Sequence, residues 1–237
     1  MHIHIPDGVL PFWLWSSGFL IALTLLGAFS STLKVRSSKI AFAALATALV
    51  LVVMSVPLGL PIHLNLIALV GIIIGPAWSL YVAFAVNLIL AGFGHGGMTV
   101  VGLNTLLLWL QAAAAYFLFY YLFRIMVHNK AFRAGLAVFV ALAVSFVFLV
   151  FVASLPHQVE PGQFSIQHHH EHDHEHEYDH DHAEETEPTE EASHEFNLWT
   201  FVALSGPLVF VVALIEVFIA VGSVKFIDRV KPELLNS

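Results

Sequence analysis

The sequence predicts an all-α membrane protein, a polytopic membrane helix bundle of about seven transmembrane helices. Of its 237 residues, 58% are hydrophobic and only 11% are charged, whereas a soluble domain is typically about 25% charged. Apolar runs are separated by short polar, glycine- or proline-containing turns. The basic residues cluster around two of those turns and near the carboxyl-terminal end. Together these features predict a multi-pass protein of the cell (inner) membrane, in contact with membrane lipid.

The apolar runs define the predicted helices. About 20 apolar residues cross the hydrocarbon core of a bilayer, and most of the runs approach that length. The third run is short and stops at Gly75-Pro76, so the third and fourth runs could also form one kinked pair or a re-entrant element. The predicted helices are residues 12–33, 40–56, 64–74, 77–91, 100–123, 131–155 and 198–226.

The distribution of Lys and Arg predicts the orientation, because basic residues concentrate in cytoplasmic turns. With seven spans, the nine basic residues all fall on the side that holds the carboxyl terminus. The amino terminus, His63, His95 and the acidic segment fall on the other side. The sequence therefore predicts the amino terminus outside and the carboxyl terminus in the cytoplasm.

We divide the chain into a membrane metal-binding core at 1–155, an extracytoplasmic loop at 156–197, and the last transmembrane helix with a cytoplasmic tail at 198–237. The loop holds most of the acidic residues behind the net charge of −8, together with a dense run of histidines from His168 to His182. Because it lacks apolar periodicity, we predict that it is disordered. Alternating imidazole and carboxylate groups would bind several divalent ions weakly.

Composition excludes several classes of protein. The chain has no cysteine, so disulfide scaffolds, iron–sulfur clusters and thiolate metal sites are excluded. Its few basic residues are too scattered for nucleic-acid binding. The first residues lack the positive region and cleavage site of a secretory signal, so we expect the first apolar run to remain as a helix. We predict no catalytic residues and no resident cofactor.

The amino-terminal residues can form a compact metal chelate. The Met1 amine, the backbone nitrogen of His2 and the His2 imidazole could bind one small divalent cation through adjacent chelate rings. A free amine has a pKa near 8, so a metal need displace only one weakly held proton. Nitrogen donors in a tetragonal plane suit Ni²⁺ or Cu²⁺. His63, which follows Pro57–Pro61 on the same predicted face, is the candidate for the fourth nitrogen.

Several polar residues lie within predicted helices. Glu216 is in the last one, where a carboxylate is costly; it could be functional, or it could be paired inside the bundle. Asn87, Asn104 and Gln111 are predicted to form interhelical hydrogen bonds. Gly18 and Ala22 have the small-xxx-small spacing of closely packed helices, either within the bundle or against a partner.

These motifs resemble those of the CbiM/NikM family, the substrate-binding membrane components of energy-coupling-factor transporters for cobalt and nickel. The resemblance is strong over about residues 1–130 and extends to the later helices only in hydropathy. It is carried by Met1-His2-Ile3 with Asp7-Gly8, Gly59–Leu64, Gly75-Pro76 and Phe93–Asn104.

The resemblance implies that Met1, His2 and His63 bind the transported Co²⁺ or Ni²⁺, with a slight preference for nickel from the nitrogen donors. The family often reads Met-His-Ile-Pro-Asp-Gly, whereas this chain has an additional His-Ile. His2 keeps the chelate to the amine and His4 keeps the spacing to Pro6, so His4 is the alternative or an auxiliary ligand. His95 stands where many members carry an acid, which favours a role beside the metal rather than on it.

The resemblance also implies partners. An energy-coupling transmembrane subunit and two ATPase subunits would supply the ATP-driven step, and a small accessory membrane subunit is a further candidate. This chain has no G-x-x-x-x-G-K-[ST] motif, so we expect it to be a transport component and not an enzyme. The alternatives are a stand-alone metal permease and an intramembrane metalloenzyme built on His63, His95 and Glu216.

Overall fold

The computed structural model describes residues 10–33, 37–55, 63–94, 97–159 and 198–235, and these residues form an all-α bundle. A π-helical turn, Leu118–Leu122, joins α5 to α6, so that Val101–Met126 is one continuous apolar helix. A 3₁₀ turn, Pro232–Leu235, follows the last helix. The helices are α1 (Phe12–Thr32), α2 (Ser37–Ser55), α3 (Ile67–Ile74), α4 (Pro76–Gly92), α5 (Val101–Phe117), α6 (Phe123–Met126), α7 (Lys130–Val159) and α8 (Leu198–Val230).

Each predicted apolar run coincides with a helix, and the prediction of a polytopic helical bundle is confirmed. Five helices in the described residues are long and apolar enough to cross a membrane. The third and fourth runs form shorter helices: α4 has 17 residues and α3 has eight. Eight residues rise only about 12 Å, so α3 covers less than half of a bilayer core.

The chain breaks between α3 and α4 at Gly75-Pro76. Gly75 has φ 86°, a left-handed value that glycine adopts without a steric penalty. Pro76 lacks a backbone N–H and is tolerated in the first turn of a helix. The indole Nε1 of Trp109 on α5 donates a hydrogen bond to the Pro76 carbonyl oxygen at 2.9 Å. The two short helices are therefore held as separate segments.

Helix α5 lies at the centre of the bundle, packed against α1, α3, α4 and α7. Glycines allow its two closest approaches. A side chain at Gly71 would meet the backbone of Ala112, and one at Gly102 would meet the backbone of Phe19. Gly18 packs against Leu103 of α5, so the small-residue spacing in α1 serves contact within the bundle.

The contacts also give the directions of the helices. Gly18 packs against Leu103 near the start of both α1 and α5. Further along the same two helices, the ring centroids of Phe29 and Trp109 are 6.1 Å apart. The two helices are therefore parallel. Lys130 at the start of α7 forms an ion pair of 2.8 Å with Asp228 near the end of α8. The described basic residues consequently gather at one end of the bundle: Lys39, Arg124, Lys130, Arg133, Lys225, Arg229 and Lys231.

The division of the chain at 155 and 197 stays a prediction, because residues 160–197 lie outside the described residues. Within them, α7 continues to Val159. The outer faces of the helices are apolar, with Phe218 and Ile125 about four-fifths exposed (80% and 82%). Such surfaces are expected where the surrounding solvent is lipid.

Candidate functional site

Of the predicted metal ligands, only His63 lies among the described residues. Met1, His2, His4 and His95 lie outside them, and their roles stay predictions. His63 is half-buried and lies in non-helical backbone, just before the irregular segment Leu64–Leu66. Leu66 has φ 53°, an uncommon conformation for a branched residue that persists only where the surroundings enforce it. Helix α3 begins directly after it, at Ile67.

Asn65, two residues after His63, is fully buried and connects three helices. Its Oδ1 accepts a hydrogen bond from the backbone N–H of Ile67 at 3.0 Å and so satisfies a donor at the start of α3. Its amide group also pairs with the amide group of Gln111 on α5 through two hydrogen bonds of 3.2 Å. Its backbone N–H donates to Oε1 of Glu216 on α8 at 3.1 Å. The segment after His63 is thus fastened from two neighbouring helices.

This polar cluster lies at the middle depth of the bundle. Gln111 is ten residues into α5, which corresponds to about 15 Å along the helix axis. Glu216 is near the centre of the apolar span Gly206–Val230. The sequence predicted His63 at a helix start on the outer face, but the residues that follow it lie deeper, inside the protein. Hydropathy alone could not predict the depth of these residues, because it does not show how far an interrupted apolar run extends into the bundle.

The predictions for the other polar residues had different outcomes. Gln111 forms hydrogen bonds across the bundle, although its partner Asn65 lies in the non-helical segment before α3 and not in a second helix. Glu216 is 1% exposed and accepts a hydrogen bond from the same segment. For Asn87 the prediction was wrong, because its amide bonds to Ala83 within its own helix. Asn104 is buried in α5, and its Oδ1 has no hydrogen-bond partner within the described part of the chain.

Sequence reasoning missed Asn65. The available signal was a single amide residue at the edge of an otherwise apolar run, two positions from the candidate ligand. Within the described ranges, no group of three or more His, Asp or Glu side chains is close enough to hold a metal ion. A site at His63 therefore needs further ligands from residues outside those ranges.

Comparison with known proteins identifies the family. A sequence profile described as "Cobalt uptake substrate-specific transmembrane region", CbiM, matches residues 4–234. The chain belongs to the CbiM family. The matched range includes His4 and His63 and leaves out Met1 and His2. The chain is therefore a multi-pass transmembrane component of a cobalt-uptake family.

Two solved structures share the fold of this family member. One, described as a transition metal transporter, superposes with a TM-score of 0.72 at 15% identity and covers 96% of this chain and 93% of its own. The other, a truncated transition metal transporter, has a TM-score of 0.57 at 19% identity and covers 66% of this chain and 76% of its own. No curated protein matches the sequence significantly.

Proposed function

We propose that the chain is the substrate-capture component of an ATP-driven importer of Co²⁺ or Ni²⁺. It takes the ion from the outer side and releases it inward. One observation carries the proposal: non-helical backbone at His63–Leu66 lies deep among apolar helices. Irregular backbone at membrane depth is tolerated where it is enclosed by protein or lines a cavity. In transporters, interrupted helices of this kind supply the substrate site.

We propose that four nitrogens bind the metal: the Met1 amine, the backbone nitrogen and imidazole of His2, and the imidazole of His63. The length of the chain supports this arrangement. Leu10 belongs to the same buried cluster as Val100 and Leu103 at the start of α5. This level of α5 is about 15 Å along the helix axis from Gln111. The residues between His2 and Leu10 can extend over about 26 Å, so the terminus can reach His63.

The four proposed nitrogen donors bear on the choice between nickel and cobalt. Four nitrogens in a plane favour Ni²⁺ slightly over Co²⁺ on geometric grounds. His4 is proposed as an auxiliary ligand and His95 as a residue beside the metal. The His-rich loop would bind further ions weakly and raise their local concentration at the outer face.

Energy for transport would come from other chains. We propose an energy-coupling transmembrane subunit, two ATPase subunits and a small accessory membrane subunit as partners. The test compares uptake of ⁵⁷Co²⁺ or ⁶³Ni²⁺ by cells that express this chain alone with uptake by cells that express all the subunits. Equal rates would favour a stand-alone permease instead.

The metal site is tested by titrating the purified protein with Ni²⁺ and Co²⁺. We expect one tight site followed by weak binding to the loop. His63→Ala and His2→Ala should each weaken the tight site at least about 100-fold, because losing a ligand costs more than losing the outer group that orients one, which costs about 10- to 100-fold. His128→Ala is the control, since His128 is exposed at the opposite end of the bundle. If both ligand substitutions leave the affinity unchanged, the proposed site is wrong.

A second set of variants distinguishes His2 from His4 and tests the amine. An extension of the amino terminus by three residues keeps every histidine but removes the amine from the chelate, so tight binding should be lost. If His2 closes the chelate, His4→Ala should retain a tight site. Loss of the tight site in His4→Ala but not in His2→Ala would assign the chelate to His4.

A further inference from the structure

We infer that Glu216 is a positioning residue for metal capture: from α8, its carboxylate holds the backbone segment that presents His63. The inference rests on the proposed function, because it takes His63 as a metal ligand. It adds a residue from the last transmembrane helix, far from His63 in sequence, to the machinery of the site.

The hydrogen bond of Glu216 has a specific target. A carboxylate near the middle of an apolar span is costly unless it is paired or functional, and Glu216 is 1% exposed at that depth. Its Oε1 accepts from the backbone N–H of Asn65 at 3.1 Å. Because Asn65 precedes the first turn of α3, no bond of that helix can satisfy this donor.

Asn65 transmits the constraint to His63. Its side chain is held by Gln111 on α5 and by the N–H of Ile67, so neither end of this residue can move independently of the bundle. Only Leu64 separates Asn65 from His63. The Glu216 carboxylate on α8 therefore fixes the position of the His63 backbone along the bundle axis and the direction of its imidazole. Groups that orient a metal ligand typically change metal affinity 10- to 100-fold when they are removed.

Two conservative substitutions distinguish whether Glu216 acts through the position of its acceptor oxygen or through its negative charge. In Glu216→Gln the amide oxygen can still accept from Asn65, although the carboxylate is gone. In Glu216→Asp the carboxylate is kept, but the shorter side chain draws the acceptor back by about one bond length and breaks a contact of this range. Positioning therefore predicts that Gln is tolerated and Asp is not, whereas a requirement for charge predicts the reverse.

The experiment measures Ni²⁺ affinity and the visible absorption spectrum of the Ni²⁺ complex of the full-length chain. We expect Glu216→Leu and Glu216→Asp to weaken binding about 10- to 100-fold. Their absorption band should move to longer wavelength, as in His63→Ala, because water replaces the fourth nitrogen. Glu216→Gln should keep the wild-type spectrum and an affinity within about threefold. Asn87→Leu is the control, since Asn87 is equally buried but bonds within its own helix.

The outcomes distinguish this inference from the proposed function. A wild-type spectrum in Glu216→Asp, or a His63→Ala spectrum in Glu216→Gln, overturns the positioning role. If Glu216→Leu does not fold, the Asp and Gln variants still decide the matter. If His63→Ala itself retains the wild-type spectrum and affinity, the proposed metal site fails, whatever the Glu216 variants do.

Discussion

At the scale of single residues, the most informative position is Asn65. It is 0% exposed, yet its side chain and backbone form hydrogen bonds to Ile67, Gln111 and Glu216. A buried amide is stable in an apolar interior only when its donors and acceptors are satisfied. Asn65 meets that condition by connecting α3, α5 and α8 at one point.

We predict that Asn65→Ala lowers the free energy of unfolding by about 1–3 kcal/mol, because it leaves the buried amide of Gln111 without its partner. Titration of the detergent-solubilised protein with denaturant measures the change. The control is Asn87→Ala, which removes one hydrogen bond within α4 and should cost about 0.6 kcal/mol. Equal losses in the two variants would mean that the Asn65–Gln111 pair has no special contribution.

At the scale of elements, the sequence predicted the positions of the helices well and their depths poorly. Runs such as 131–155 and 198–226 are apolar and long enough to span the bilayer. A single segment in lipid can satisfy its own backbone hydrogen bonds only as a helix. The same composition has no polar side to show which face meets which neighbour. Hence Gln111 and Glu216 were recognised as unusual, but their common contact with Asn65 depends on the packing of helices distant in sequence.

Helix α3 is the element on which the candidate site depends, and its approach to α5 depends on Gly71. We predict that Gly71→Ala destabilises the bundle by about 1–3 kcal/mol, because the added Cβ would collide with the Ala112 backbone, which cannot rotate away. Gly27→Ala is the matched control, since nothing lies within 4 Å of a Cβ at that position. Thermal unfolding followed by circular dichroism measures both, and a loss of equal size in Gly27→Ala would contradict the packing argument.

At the scale of the whole molecule, the basic residues separate the two ends of the bundle. The loop between α6 and α7 and the end of α8 are joined by the Lys130–Asp228 ion pair. Because α1 runs parallel to α5, the end of α1 lies at this same end. The opposite end, where α4 stops and α5 begins, has no Lys or Arg among the described residues. The positive-inside rule then predicts that the basic end faces the cytoplasm.

This orientation can be measured because the chain has no cysteine, so the wild type is unreactive towards maleimides. Phe93→Cys introduces a thiol at the end without basic residues, and His128→Cys introduces one at the basic end; both positions are exposed. In intact cells, a membrane-impermeant maleimide should label Phe93→Cys, while His128→Cys should react only after permeabilisation. The reverse pattern would put His63 within reach of the cytoplasm, and capture from the outer side would then be excluded.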